Sequence, residues 1–135
     1  MQDLDPWILD DHGLDRWLAG RRGEWVALDL EADSFHHYHE KICLVQLTAD
    51  GRDALVDPLA GVDLSRFREL LLDPAVTKVF HGGDYDLRLL DRDHGLRVRG
   101  LFDTMVAARM VGERKFGLAA LLAQHFGVHL DKSHQ

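Results

Sequence analysis

Cysteine is almost missing from this 135-residue chain, with Cys43 the only one. No disulfide framework can be built on it, and a reducing cytoplasm is the expected compartment. Positive charge is also short, with 16 Lys and Arg against 23 Asp and Glu, a net of −7. That excludes a general basic coat for gripping nucleic acid. It leaves room for a nucleic-acid enzyme, because site carboxylates add negative charge that bound cations neutralise. Long apolar runs are absent, as is a basic-then-apolar signal pattern at the N-terminus, so no membrane partner is expected. Neither a low-complexity tract nor an internal repeat occurs. What is present is the composition of a soluble globular protein, 46% hydrophobic and 29% charged. The length suits one domain over residues 1–135 with a real core.

The chain is organised around Trp25-Val-Ala-Leu-Asp-Leu-Glu31 and the apolar run Ile42 to Leu47. As a strand, the first piece puts Trp25, Ala27, Asp29 and Glu31 on one face and Val26, Leu28 and Leu30 on the other. Two carboxylates then point the same way, with Cα atoms roughly 6.5 Å apart. Burying them together is costly unless something positive joins them, and hard divalent ions take carboxylate oxygens. An Asp-x-Glu pair alone is more often what a strand shows on reaching solvent.

Asp10 and Asp11 offer an N-cap for a helix carrying Leu14, Trp17 and Leu18, and Trp7 to Leu9 fits a short edge strand. The Asp29/Glu31 strand leads through residues 32–40 to a second strand at 41–48, which carries Cys43 as a small core residue. Asp50-Gly51 marks a tight turn into a third strand at 53–56, and strands joined this closely are antiparallel. Asp63 caps a helix with Leu64, Phe67, Leu70 and Leu71 on one side. A strand follows at 76–80, a bend at His81-Gly-Gly83, a helix at 84–92 and a last strand at 96–102. Asp103 caps a helix at 104–111, apolar nearly all round and therefore expected to be buried, and an amphipathic helix spans 117–126. The expected fold class is α/β: an antiparallel meander extended by parallel strands, with helices against the mixed sheet.

Asp86 is the anomaly. It precedes Leu89 and Leu90 by three and four residues, on the apolar side of its helix, facing the sheet that carries Asp29 and Glu31. A first-turn carboxylate also gains from the helix dipole. Three acids converging on one point are better explained by metal than by a cap.

In these residues the sequence resembles the ribonuclease D branch of the DEDD 3'-5' exonucleases, which have a ribonuclease H-like fold. The likeness runs through Val26-Ala-Leu-Asp-Leu-Glu31, Tyr38, Ile42-Cys-Leu-Val-Gln-Leu47, Val56-Asp-Pro-Leu59 and Lys78-Val-Phe-His-Gly-Gly-Asp-Tyr-Asp-Leu87. It continues in Phe102-Asp-Thr104 and Gly127-Val-His-Leu-Asp-Lys-Ser133. The resemblance implies that Asp29, Glu31 and Asp86 are three of four metal-binding acids. They would hold two divalent ions, Mg²⁺ or Mn²⁺, that hydrolyse the terminal phosphodiester of a single-stranded 3′ end, with Asp29 bridging. It implies RNA as substrate, with tRNA processing the expected setting; a DNA 3'-5' exonuclease and a non-catalytic nucleic-acid-binding module stand as alternatives.

The family's fourth acid belongs to a Tyr-x-x-x-Asp pattern downstream of the segment matching Leu130 to Ser133. Tyr38 and Tyr85 are the only tyrosines here, and neither is followed by Asp at that spacing. The expectation is a domain incomplete on its C-terminal side, weak or inactive as it stands and inclined to self-associate through an uncovered apolar face. Leu30, Phe35, Tyr38 and His81 are the candidate substrate contacts. Phe35 and Tyr38 either stack on terminal bases or pack over the sheet edge. His81 either meets phosphate or orders the bend. His36, His37 and His39 match no zinc spacing and read as a solvated loop.

Overall fold

The computed structural model describes residues 5–33 and 40–131. Six strands form one sheet in the order β1-β4-β3-β2-β5-β6. They are β1 (Trp7–Ile8), β2 (Trp25–Asp33), β3 (Lys41–Ala49), β4 (Arg52–Val56), β5 (Thr77–Phe80) and β6 (Leu101–Asp103). Pairings β2–β3 and β3–β4 are antiparallel, while β1–β4, β2–β5 and β5–β6 are parallel. The mixed sheet with flanking helices is the expected architecture. Its meander closes through Asp50 and Gly51, both left-handed at φ 54° and 69°, which suits a hairpin turn that follows strand twist.

Helix α1 (Asp11–Gly20) starts where the Asp10 carboxylate accepts from the Gly13 N–H at 2.7 Å. Leu14 and Trp17 enter the core one turn apart. Val26, Leu28 and Leu30 meet them from β2, together with Phe67, Leu71, Leu89 and Leu90. The alternation along β2 therefore leaves Trp25, Asp29 and Glu31 exposed on the other side. Lys78 on β5 is fully buried, and its ammonium donates to the carbonyls of Asp73 and Val76. Burial pushes its pKa down, against the nearby charge of Asp73.

Several features differ from expectation. The segment after Asp63 begins as a 3₁₀ turn (Leu64–Phe67) and becomes helix α2 only over Arg68–Leu72. Its apolar face is unchanged, because spacings of three suit both forms. The last strand shrinks from residues 96–102 to β6. Helix α3 (Asp84–His94) ends with Gly95 left-handed and the Leu96 N–H bonded to Leu90, which folds Leu96 back into the core. Cys43 is half-buried rather than in the core, its Sγ 3.4 Å from the Glu31 carbonyl.

Helix α4 (Thr104–Met110) is not the buried element its composition suggests. Only Ala108 is buried, while Met110 is 83% and the adjoining Val111 80% exposed. The helix meets the sheet chiefly at β5 and β6, so one narrow side suffices for contact. The final helix, α5 (Leu118–Phe126), has no fully buried residue. Among the described residues, no helix is long and apolar enough to cross a membrane.

Candidate active site

Asp29 lies opposite Gln46 across the β2–β3 ladder, and Glu31 lies opposite Leu44. A bulge between Glu31 and Ala32 shifts the register as soon as the second acid has been placed. Such a bulge bends the strand and re-aims the side chains beside it.

The third acid arrives from α3. The pairing of β2 with β5 ends at Ala27 and Val79. Further along that strand, the Leu30 N–H donates to Asp86 Oδ2 at 3.3 Å. Asp86 is half-buried in the first turn of α3. Burial raises its carboxyl pKa, the charge of Asp29 raises it further, the Leu30 N–H opposes them and Glu31 adds to the rise, to about 6. Asp86 thus feels the charges of both acids on β2.

Among the described residues, no three acid, histidine or cysteine side chains stand close enough together to hold a metal ion as they are placed. Asp29 and Glu31 are exposed on β2, and Asp86 is half-buried at the start of α3. Their donors are hard oxygens, and burial first, with the charges of Asp29 and Glu31 besides, raises the Asp86 carboxyl to about 6. That chemistry fits divalent cations such as Mg²⁺ or Mn²⁺.

Asp29 also lines a cleft of about 570 Å³ with Ala27, Gln46, Thr48, His81 and Leu118. Gln46 and Thr48 were not singled out in the sequence, although polar residues alternating with Val45 and Leu47 signal a strand face turned from the core. Leu118 offered no signal, being one apolar residue of a helix.

His81 sits at this cleft in an ordering role. Its Nδ1 lies 2.8 Å from Thr104 Oγ1, and the Thr104 hydroxyl donates to the Phe80 carbonyl at 3.1 Å. With that proton spent, Nδ1 is the donor, and Nε2 keeps a buried lone pair with no partner among the described residues. The Leu30 side chain is a correction: at 7% exposure it belongs to the core, and only its backbone N–H serves the site. Phe35 and Tyr38, like His36, His37 and His39, lie outside the described residues.

The bend His81-Gly82-Gly83 carries the chain from β5 into α3. Gly82 is left-handed at φ 67°, and a Cβ on Gly83 would stand 2.7 Å from the Cβ of Phe80. Asp103, the N-cap of α4, reaches this bend: Oδ1 accepts from Gly82 N–H at 3.0 Å and Oδ2 from Gly83 N–H at 2.8 Å.

Comparison with known proteins agrees with this fold. The 3'-5' exonuclease family profile matches residues 7–135. Ribonuclease D of Musicola paradisiaca is 38% identical over 128 residues, which are 93% of this chain and 34% of that protein. Exosome complex component 10 of Rattus norvegicus is 39% identical over 110 residues, 81% of this chain and 12% of that protein. The chain thus spans about a third or less of the length of these curated relatives. The crystal structure of Escherichia coli RNase D, described as an exoribonuclease involved in structured RNA processing, superposes with a TM-score of 0.84 at 34% identity. That match covers 94% of this chain and 34% of that one. A profile spanning nearly every residue, and a fold shared from β1 to the last helix, carry one conclusion: the chain belongs to the 3'-5' exonuclease family, as a ribonuclease D-like DEDD domain.

Proposed function

We propose that these residues form the core of a metal-dependent 3'-5' exoribonuclease acting on single-stranded 3′ ends, with tRNA processing as its setting. The observation that carries the reading is Asp86, half-buried beside β2 and held by the Leu30 N–H at 3.3 Å, whose carboxyl is pushed up to about 6 by burial first and by the charges of Asp29 and Glu31 besides. Glu31 and Asp29 would hold one divalent ion, and Asp86 would serve a second. Such a pair, when bound, supplies an activated water and positive charge against the scissile phosphate.

The chain's own residues do the rest. The Leu30 N–H fixes one oxygen of Asp86. Gln46 and Thr48, beside Asp29, give the terminal nucleotide a polar wall, and Leu118 gives it an apolar one. The family's fourth acid is not among these 135 residues, so weak turnover is expected of them alone; a misplacement near 1 Å can cost about 100-fold in rate.

The test is Mn²⁺-dependent shortening of a 5′-labelled oligoribonucleotide, beside a DNA oligonucleotide of the same sequence. Trimming that stops in Asp29→Ala supports the enzyme reading. RNA or DNA binding that ignores both chelator and Asp29→Ala, with no trimming, would replace it with a non-catalytic binding module.

A further inference from the structure

The acid that joins β2 to α3 is placed by a bend, and that bend is held from a third element. Asp103 spends both carboxylate oxygens on backbone N–H groups. Oδ1 takes Met105 N–H at 2.9 Å and Val106 N–H at 3.2 Å, which caps α4, and also takes Gly82 N–H at 3.0 Å. Oδ2 takes Gly83 N–H at 2.8 Å. Two further contacts tie the first turn of α4 to the same place. Thr104 links the Phe80 carbonyl to His81 Nδ1, and Met105 fills the space beside Gly82, its Cε 3.2 Å from where a Cβ would stand. Gly83 is the N-cap of α3, with no side chain of its own to cap with, and Asp86 follows within one turn.

We propose that Asp103 is a positioning residue for the metal-binding acids: its second oxygen, through Gly83, sets where α3 begins and so where the Asp86 carboxylate meets β2. This rests on the exonuclease reading for its consequence but on the four hydrogen bonds for its geometry. Helix capping alone needs one oxygen, which Asn or Ser supplies equally well. The Gly83 bond needs the second. In Asp103→Asn the carbonyl oxygen keeps the α4 cap and the amide group turns a donor toward the Gly83 N–H. The substitution therefore separates the two duties.

Mn²⁺ affinity would be measured by calorimetry on wild type, Asp29→Ala, Asp103→Asn, Asp103→Ser and Asp10→Asn, the last altering a cap far from the bend. Hydrogen exchange at the Leu30 amide would be followed on the same samples. Supporting partners behind a metal ligand are commonly worth about 10- to 100-fold in metal affinity. The expected result is a loss of about tenfold or more in Asp103→Asn and Asp103→Ser, with faster Leu30 exchange, near-wild-type melting and no change in Asp10→Asn. Unchanged affinity or unchanged Leu30 exchange in both Asp103 variants overturns the inference. So does collapse of both variants, which would make Asp103 a residue of the fold at large. Binding of Mn²⁺ indifferent to Asp29→Ala overturns the exonuclease reading instead, and Leu30 exchange alone then decides the role of Asp103.

Discussion

Leu30 and Asp86, 56 residues apart, are joined by one hydrogen bond from the strand's N–H to the helix's carboxylate. Strand β2 thereby gives the site two carboxylates through its side chains and holds a third through its backbone. Asp86 is anchored to the strand and repelled by the charges that strand carries. An anchor and a repulsion at one atom make the region sensitive to anything that neutralises charge.

Replacing Asp86 with Asn keeps an oxygen for Leu30 and removes the repulsion. In chelator at pH 8, Asp86→Asn should melt a few degrees above wild type while losing Mn²⁺ binding. A lower melting temperature would show that the carboxylate's charge is not under strain.

The pH dependence has a definite sign. The Asp86 carboxyl goes from an ordinary 3.8 to about 6 in the folded chain, so between those values the folded form holds the proton more tightly than the unfolded one. Its contribution to stability is present below about pH 4 and is lost as pH rises through about 6. Wild type minus Asp86→Asn, followed by thermal melting without metal, should decline across that window. Added Mn²⁺ competes with this proton, so its stabilisation should be larger at pH 7.5 than at pH 5. Equal stabilisation at both pH values would separate Asp86 from the metal.

Gly83→Ala tests the bend by bulk. The new Cβ falls 2.7 Å from the Phe80 Cβ and 2.8 Å from its ring, and Phe80 is buried, so the strand end or α3 has to move. A cost of about 1–3 kcal/mol is expected, measured by urea denaturation, together with weaker Mn²⁺ binding. Gly51→Ala, in the remote β3–β4 turn, should lower stability through its left-handed φ but leave the metal untouched.

The outer faces of α4 and α5 should make the chain self-associate. Met110, Val111 and Phe126 are 83%, 80% and 76% exposed, and contiguous apolar surface favours association. Sedimentation at rising concentration should show a growing oligomer. Met110→Lys with Phe126→Ser should reduce it without lowering the melting temperature; a monomer at every concentration would refute the expectation.

Much of this architecture is written in short-range pattern. Period-two alternation places Val26, Leu28 and Leu30 inside and Asp29 and Glu31 outside, and the spacing of Asp86 to Leu89 and Leu90 turns that acid toward the sheet. Caps at Asp10, Asp63 and Asp103 are equally local. What pattern does not carry is which neighbour an element meets. Helix α4, apolar on most sides, gives no hint that only Ala108 is covered. Asp103 announces a helix cap, but its bonds to Gly82 and Gly83 depend on β5 and β6 lying side by side. Leu30 falls among the candidate contacts by its place between two acids, whereas its side chain obeys the alternation and goes to the core.

The strand order also has a consequence in time. Strands β2, β3 and β4 are neighbours in sequence, and the last two meet through a two-residue turn. Strand β5 pairs with β2 in parallel, Trp25 with Thr77, across a long loop whose closure costs entropy before any contact offsets it. The meander can therefore zip up early with Asp29 and Glu31 already in place on β2. Asp86 joins them only when β5 and α3 dock, so any metal binding that needs all three acids would report a later stage of folding than the meander.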